Sequence, residues 1–243
     1  MSAIKLIERN ALAFDIERTV SVIDDFNEYT SGGKFTSVLT DSGSATVSDG
    51  AKGILALVPS DGTVADNDEA YIKTTKEIFK IADGKPCQWK ALVQFTEANT
   101  DDANVFVGLK DAIAANSLVD DGGGPPSSYS GAVFFKVDGD TLWQAEYSNG
   151  GTQNTVRLSA ANSLDKLDKT AGGSAYQKLE SLIQPKTSSL CDVFFWIDNV
   201  LVCKMVDQSY SSATEMQWGA GVKNGGGNLE TLNIDLVEVA QAR

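Results

Sequence analysis

From Val20 onward the chain is a succession of short apolar or alternating runs, cut about every eight to twelve residues by Gly, Asp, Asn and Ser. Trp89, Ala91, Val93 and Phe95 alternate with Gln88, Lys90 and Gln94, the two-residue period of a strand with one wet face. Val105, Val107 and Leu109 follow the same period, as do Trp143, Ala145 and Tyr147 with Gln144 and Glu146 between them. Val133-Phe134-Phe135 and the run Val193 to Ile197 are unbroken β-formers, the pattern of strands covered on both faces and therefore of the centre of a core. Many short strands with almost no helical period can bury their apolar sides only by stacking sheet on sheet. The expected fold is all-β, a two-sheet antiparallel sandwich of jelly-roll type.

Turn residues fall where the runs end. Asp198-Asn199 separates Val193 to Ile197 from Val200 to Val206, and this pair tolerates the positive φ angles that a two-residue hairpin loop demands. Opposed residues then sum to 397, so that Ile197 faces Val200, Cys203 faces Phe194 and Cys191 faces Val206. Asp138-Gly139 and Asn149-Gly150-Gly151 divide Val133 to Leu158 into at least three hairpin-linked strands. The closing run from Leu232 shifts phase at Leu236-Val237, as a bulge or a change of sheet would make it. Asp111 to Val119 has enough Ala and Leu for two helical turns capped by Asp111. Ser174 to Gln184 fits a helix through Tyr176, Leu179, Leu182 and Ile183, and a strand through Leu179, Ser181 and Ile183.

Charge narrows the function. Twenty Lys and Arg stand against 33 Asp and Glu, a formal −13, and there is no histidine. Such a chain repels phosphate backbones and anionic headgroups, which excludes nucleic acid and membrane surfaces as partners. Without imidazole there is no Ser-His-Asp or Cys-His arrangement and no zinc site of the common His-containing kinds. An enzyme here would work with carboxylates, Lys, Tyr or Cys. The three cysteines, Cys87, Cys191 and Cys203, are odd in number and irregular in spacing, which fits small buried hydrophobes rather than a disulfide framework or a metal cluster. No run of about 18 apolar residues exists, and the N-terminus lacks the apolar core of a signal peptide. A soluble protein made in a reducing compartment is expected.

Met1 to Thr19 differs from the rest. It has no strand period and no glycine turn, and it carries Ile4, Leu6, Ile7, Leu12 and Phe14 among charged residues. One reading is a frayed or helical lead-in; the other is an arm whose apolar side chains bind a partner surface. The expected organisation is an arm over residues 1–19 and a jelly-roll domain over residues 20–243.

Four stretches occur in a telling order: Ile23-Asp-Asp-Phe-Asn-Glu-Tyr29, Phe106-Val-Gly-Leu109, Gly131-Ala-Val-Phe-Phe-Lys-Val-Asp-Gly139 followed by Trp143, and Val193-Phe-Phe-Trp-Ile-Asp-Asn-Val-Leu-Val202. Together they resemble the concanavalin A-like, laminin-G-like jelly rolls found in structural proteins of tailed bacteriophages, over about Val20 to the C-terminus. The resemblance implies a strand rather than a helix over Ser174 to Pro185. It also implies a non-enzymatic virion protein that decorates or cements the capsid, made in the host cytoplasm and carried on the capsid surface. Its partners would be the major capsid protein and neighbouring copies of itself, with the arm residues Ile4, Leu6, Ile7, Leu12 and Phe14 in the contact, and it would need no cofactor. The alternative is a carbohydrate-binding module of a phage fibre or adhesin.

The fold hosts several chemistries, so function has to be read from a site. No glutamate has Asp two positions on and Glu five positions on, the spacing by which retaining glucanases of this fold place two carboxylates about 5 to 5.5 Å apart. The acidic loops Asp66-Asn-Asp-Glu69, Asp101-Asp102 and Asp120-Asp121 could attract a hard cation, but none matches an EF-hand, and solubility and turn formation explain them more simply. Dinucleotide, P-loop and nucleophile-elbow glycine motifs are absent, and the triplets Gly122 to Gly124 and Gly225 to Gly227 read as loop hinges. No catalytic centre and no metal site are expected. All four tryptophans sit in strand patterns and are assigned to the core, which leaves Tyr129, in a Gly-Pro-Ser loop, as the aromatic expected at the surface.

Overall fold

The computed structural model describes residues 19–48, 53–60, 62–97 and 102–243. In chain order the strands are β1 (Thr19–Asp24), β2 (Phe35–Leu39), β3 (Ser42–Ser48), β4 (Ile54–Ser60), β5 (Glu69–Thr74), β6 (Phe79–Lys80), β7 (Cys87–Phe95) and β8 (Ala103–Lys110). They continue with β9 (Ser130–Lys136), β10 (Gln144–Asn149), β11 (Thr152–Arg157), β12 (Gln177–Pro185), β13 (Leu190–Ile197), β14 (Val200–Ser209), β15 (Glu215–Asn224) and β16 (Leu232–Ala242). No helix occurs among the described residues. Sheet I runs β14-β13-β12-β7-β16-β4-β3, with β1 also on β16; sheet II runs β11-β10-β9-β8-β15-β5-β2, with β6 on β15. All pairings are antiparallel, and the crossovers between sheets are those of a jelly roll.

Alternation decides which face each strand turns inward. Trp89, Ala91, Val93 and Phe95 of β7 are all buried while Lys90, Leu92 and Gln94 face out half-buried. At the centre lies Phe134 of β9, whose ring meets Trp89, Trp143 and Phe195 edge-on at centroid distances of 6.1, 6.2 and 5.2 Å, the orientation favoured by the ring quadrupole.

Turn chemistry closes the hairpins as expected. Asp198 and Asn199 have φ of 49° and 68°, the pair of left-handed residues of a type I′ turn, and Ile197 faces Val200. The meander β9-β10-β11 turns at Asp138-Gly139 and Asn149-Gly150-Gly151, and β16 carries a bulge between Ile234 and Leu236. Of Ser174 to Gln184, the part from Gln177 onward is strand, β12.

Several expectations need correction. Asp111 to Val119 is not a helix but an irregular loop in which Asn116 takes φ 59°, because side chains of sheet II bind its backbone groups. Val105, Val107 and Leu109 do not have a wet side, because β8 is buried on both faces. The run Val193 to Ile197 is one strand in from the edge of sheet I, so Phe194 and Trp196 lie half-buried on the outer face rather than in the core, their rings stacked at 5.8 Å and 21°. Tyr129 is buried, with 3% exposure. Past Trp196 a bulge turns both Val202 and Cys203 inward, so Cys203 faces Phe195 instead of Phe194, and a second shift puts Cys191 opposite Gln208 instead of Val206. The three cysteines are free and buried. Strand β1 begins at Thr19, which faces Ala242, one residue before the expected domain boundary; Ile4, Leu6, Ile7, Leu12 and Phe14 lie outside the described residues.

The left-handed turn gives a direct test. Replacing Asn199 by Val forces a β-branched side chain into φ near +68° and should cost roughly 1–2 kcal/mol, read by urea unfolding. Asn199→Gly should unfold at nearly the native midpoint, since glycine adopts that φ without a steric cost.

Candidate functional site

The outer face of sheet II is where polar chemistry concentrates. Its outward positions include Glu69 and Tyr71 of β5, Lys110 of β8, Glu146 of β10 and Lys223 of β15, and all five are buried. A roof covers them: the loop from Asp111 to Tyr129 lies over the sheet with Ile113, Leu118 and Tyr129 packed on Tyr71, Phe106, Val133 and Phe135 in a second small core. Gly219 and Gly221 of β15 leave the space for it, since a Cβ on Gly221 would stand inside the Tyr71 ring and one on Gly219 would meet Ile113.

Three lysines hold the roof down. Lys73 donates to the carbonyl of Ile113 at 2.9 Å, Lys110 to that of Ser117 at 2.9 Å, and Lys223 to that of Leu118 at 3.2 Å. Lys223 also donates to Asn116 Oδ1 at 3.0 Å and to Asp120. The amide N–H of Asn116 donates to both oxygens of Glu69, and that of Leu118 to the Tyr71 hydroxyl, which itself donates to Glu69 at 2.6 Å. These bonds consume the backbone groups that a helix over Asp111 to Val119 would have paired internally, which is why that helix does not form.

Titration follows from the burial. Desolvation lowers Lys110 to about 8, against the pull of Asp111 and Glu146. Desolvation raises Glu146 in spite of the donors Thr155, Tyr129 and Gln153, and it raises Tyr71 and Tyr129, each further by its carboxylate partner. A buried Lys, Tyr and Glu within one network are the groups from which a histidine-free enzyme would be built. Here they are roofed: Lys110 is 2%, Tyr129 3% and Glu146 4% exposed, and the three hydrogen-bond donors on Glu146 leave it occupied. The thiols offer no nucleophile either, since burial pushes Cys191 and Cys203 up to about 11 and Cys87 higher still.

One end of sheet II is open instead, and the acidic loops meet there. Asp66 and Asn67 precede β5, Asp102 precedes β8, Asp138 closes the β9-β10 turn, and Gly225 to Asn228 follow β15. Asp138 N donates to Asn104 Oδ1 at 2.8 Å, and Asn228 Nδ2 donates to Asp102 Oδ2 at 2.9 Å. Both glycine triplets close on Asp138, because a Cβ at Gly225 would meet its Cβ and Cγ and one at Gly122 would stand 3.0 Å from its carbonyl oxygen. They are thus spacers for close approach more than hinges. Burial first, then Asp102 and more weakly Asp66, raises the Asp138 carboxyl. Asp120 reaches the same region from the roof through its bond to Lys223. The sequence singled out these loops separately and assigned them to solubility and turns; their meeting depends on pairing β8 with both β9 and β15. No group of three or more Asp, Glu or Cys fit to hold a metal ion occurs among the described residues.

No protein-family model matches the chain, and no curated protein matches its sequence. Solved structures do match. The carbohydrate recognition domain of Emp47p superposes with a TM-score of 0.60 at 14% identity, covering 93% of this chain and 97% of its own. Peanut lectin gives 0.55 at 11% identity, covering 92% and 97%. An endo-β-1,4-glucuronan lyase from Trichoderma reesei gives 0.53 at 12%, covering 90% and 94%. The chain therefore has the lectin-type, concanavalin A-like jelly-roll fold, as the resemblance implied. These likenesses show the fold alone, and nothing in them ties the chain to a tailed bacteriophage.

The buried ammonium predicts a pH signature. Between about 8 and the ordinary lysine value of 10.5, the unfolded chain still binds a proton at Lys110 that the folded chain has released, so this residue makes stability rise with pH in that window. The buried thiols and phenols act in the opposite sense from about pH 9 upward, but they are common to a Lys110→Met variant. The unfolding free energy of the native protein minus that of Lys110→Met should grow from pH 8 to 10; a difference that stays flat means the lysine is not desolvated.

Proposed function

We propose that this protein is a non-catalytic glycan-binding domain whose contact region is the open end of sheet II around Asp66, Asp102, Asp138 and Asn228. The observation that carries the reading is the convergence of those side chains around two glycine triplets. Carboxylates and amides are planar groups that pair with neighbouring hydroxyls two at a time, and Gly227, with open space beside it, lets a ligand approach the backbone. No lysine or arginine side chain needs to be neutralised by the ligand, which favours a neutral or amino sugar over an acidic one. The lectin-type fold of the neighbours supports the same reading, since carbohydrate recognition domains and a legume lectin share it.

A lyase also shares the fold, so catalysis has to be argued against on the site. The candidate base Lys110 and its neighbours Tyr129 and Glu146 lie under the roof, and a polysaccharide reaching them would have to displace it. The capsid-decorating role with major capsid protein as partner rests only on the sequence resemblance; a glycan-binding domain displayed on a virion would unite the two.

Full-length protein on an array of neutral and acidic glycans provides the test. Binding should be to neutral or amino sugars and weaken by about tenfold or more, on the order of 1.4 kcal/mol, in Asp138→Ala and Asn228→Ala, with the thermal midpoint little changed. An array with no hits would remove the proposal, and shortening of a bound polysaccharide would replace it by an enzymatic one. Co-purification with empty heads at near the capsid subunit's stoichiometry tests the virion setting separately.

A further inference from the structure

Lys223, Glu69 and Asn116 bring an amine, a carboxylate and a side-chain amide to one point where the roof meets sheet II. Lys223 and Glu69 face each other on β15 and β5, and their side chains are 1% and 3% exposed. The Lys223 ammonium stands 3.5 Å from Glu69 and donates to Asn116 Oδ1 at 3.0 Å. Asn116 is fixed in its turn: its backbone N–H donates to both Glu69 oxygens at 2.8 and 3.0 Å, and it holds the left-handed φ of 59°. The Tyr71 hydroxyl donates to the same carboxylate at 2.6 Å. An amine and an amide 107 positions apart in the chain are thereby kept in contact.

We propose that Lys223 and Asn116 become joined by an isopeptide bond, formed by the folded chain itself with Glu69 as the proton carrier. Cγ of Asn116 lies one carbonyl bond behind Oδ1, which puts Nζ within about 4.2 Å of it, and rotation about Cβ–Cγ turns the face of the carbonyl to the amine without moving Cγ. The ammonium first gives a proton to the Glu69 carboxylate, so that a buried ion pair becomes two neutral groups and burial assists the step. The free amine attacks Cγ, and the carbonyl π pair moves onto Oδ1. Glu69 then hands its proton to Nδ2 and takes one from Nζ. The Cγ–Nδ2 bond breaks as the carbonyl re-forms, and ammonia leaves by the exposed side of Asn116, carrying the last proton away as ammonium. No oxidant, reductant or outside reagent is consumed, and holding the groups in contact supplies the rate that amines and amides lack when free in water. The one N–H left on the product nitrogen keeps the Leu118 carbonyl, at 3.2 Å, as its acceptor. Asp120 also binds the ammonium, but its side chain is 55% exposed, and a hydrated carboxylate anion resists attack by an amine more than an amide does. The bond ties the roof to its floor and stabilises the fold by restricting the unfolded chain, whether or not the rim binds a glycan.

The mass of the denatured full-length protein tests this directly. Once any loss of Met1 is allowed for, it should fall below the sequence value by about 17 Da, the mass of ammonia. A tryptic digest should contain one branched peptide that joins the segments holding Asn116 and Lys223. Asn116→Ala and Lys223→Met should each show the full sequence mass and no branched peptide, and Glu69→Gln should leave the two residues unjoined. Should Lys223→Met or Glu69→Gln fail to fold, the native mass and the exposed-site variant Asn116→Ala still decide. A native protein at its full sequence mass overturns the proposal. So does a deficit of about 17 Da without a branched peptide, which is a cyclic imide at Asn116, or one of about 18 Da with the branch at Asp120, which is loss of water.

Discussion

Three lysine ammonium groups donating to three backbone carbonyls of one loop hold the architecture of sheet II in place. Lys73, Lys110 and Lys223 come from three strands, and Ile113, Ser117 and Leu118 lie within six residues of one another. Charged donors make stronger hydrogen bonds than neutral ones, and Lys110 and Lys223 act where water is excluded. The same lysines would be expensive to bury alone. Loop and floor are therefore mutually dependent: the carbonyls need donors because they have no helix, and the ammonium groups of Lys110 and Lys223 need acceptors because they are buried. Glycine on β15 is the steric half of the arrangement, since only residues without a Cβ at positions 219 and 221 let Tyr71 and Ile113 lie flat on the sheet.

That dependence explains what could and could not be seen in the sequence. Two-residue periodicity identifies β7, the β9-β10-β11 meander and the β13-β14 hairpin, because alternation and turn residues are local properties. Asp198-Asn199 fixes its own hairpin for the same reason. The loop after Asp111 is different. Its Ala and Leu content favours a helix locally, and most of the competing partners are far along the chain: Lys73 lies 40 positions from Ile113, Glu69 47 from Asn116 and Lys223 105 from Leu118, to which no local window is sensitive. Trp196 and Phe194 mislead in another way, since a run such as Val193 to Ile197 has the same composition whether its second face meets another sheet or lies half-buried on the outside of the sandwich. Cys203 misses its expected partner by one residue because a bulge is invisible to a register counted from the turn.

The candidate site was legible in pieces. Asp66-Asn-Asp-Glu69, Asp101-Asp102, Asp120-Asp121 and the two glycine triplets each stand out in the sequence, but each alone is adequately explained by solubility or a turn. What gives them a joint meaning is strand pairing: Ala103 opposite Asn224 and Val105 opposite Lys136 bring the ends of β8, β9 and β15 to one place. Asp138 then becomes a shared neighbour of both triplets. The absence of histidine, which limits the catalytic chemistry, points the same way as a rim built of carboxylates and amides.

Lys223 connects the roofed network to the open rim. Its ammonium lies on the floor of sheet II, donates to the roof at Leu118 and Asn116, and bonds Asp120 at the edge where Gly122 approaches Asp138. A rim made of loops would ordinarily lose conformational entropy on binding a ligand. Here one side of the rim is the end of a segment already fixed by hydrogen bonds from Lys73, Lys110 and Lys223, and the other, Gly225 to Asn228, is fixed by Asn228 on Asp102 and by the close seat of Gly225. The rim is therefore ordered on folding. Weak single hydroxyl contacts need such a frame to add up, so the buried lysines that hold the roof are also what gives the rim at its edge a fixed shape.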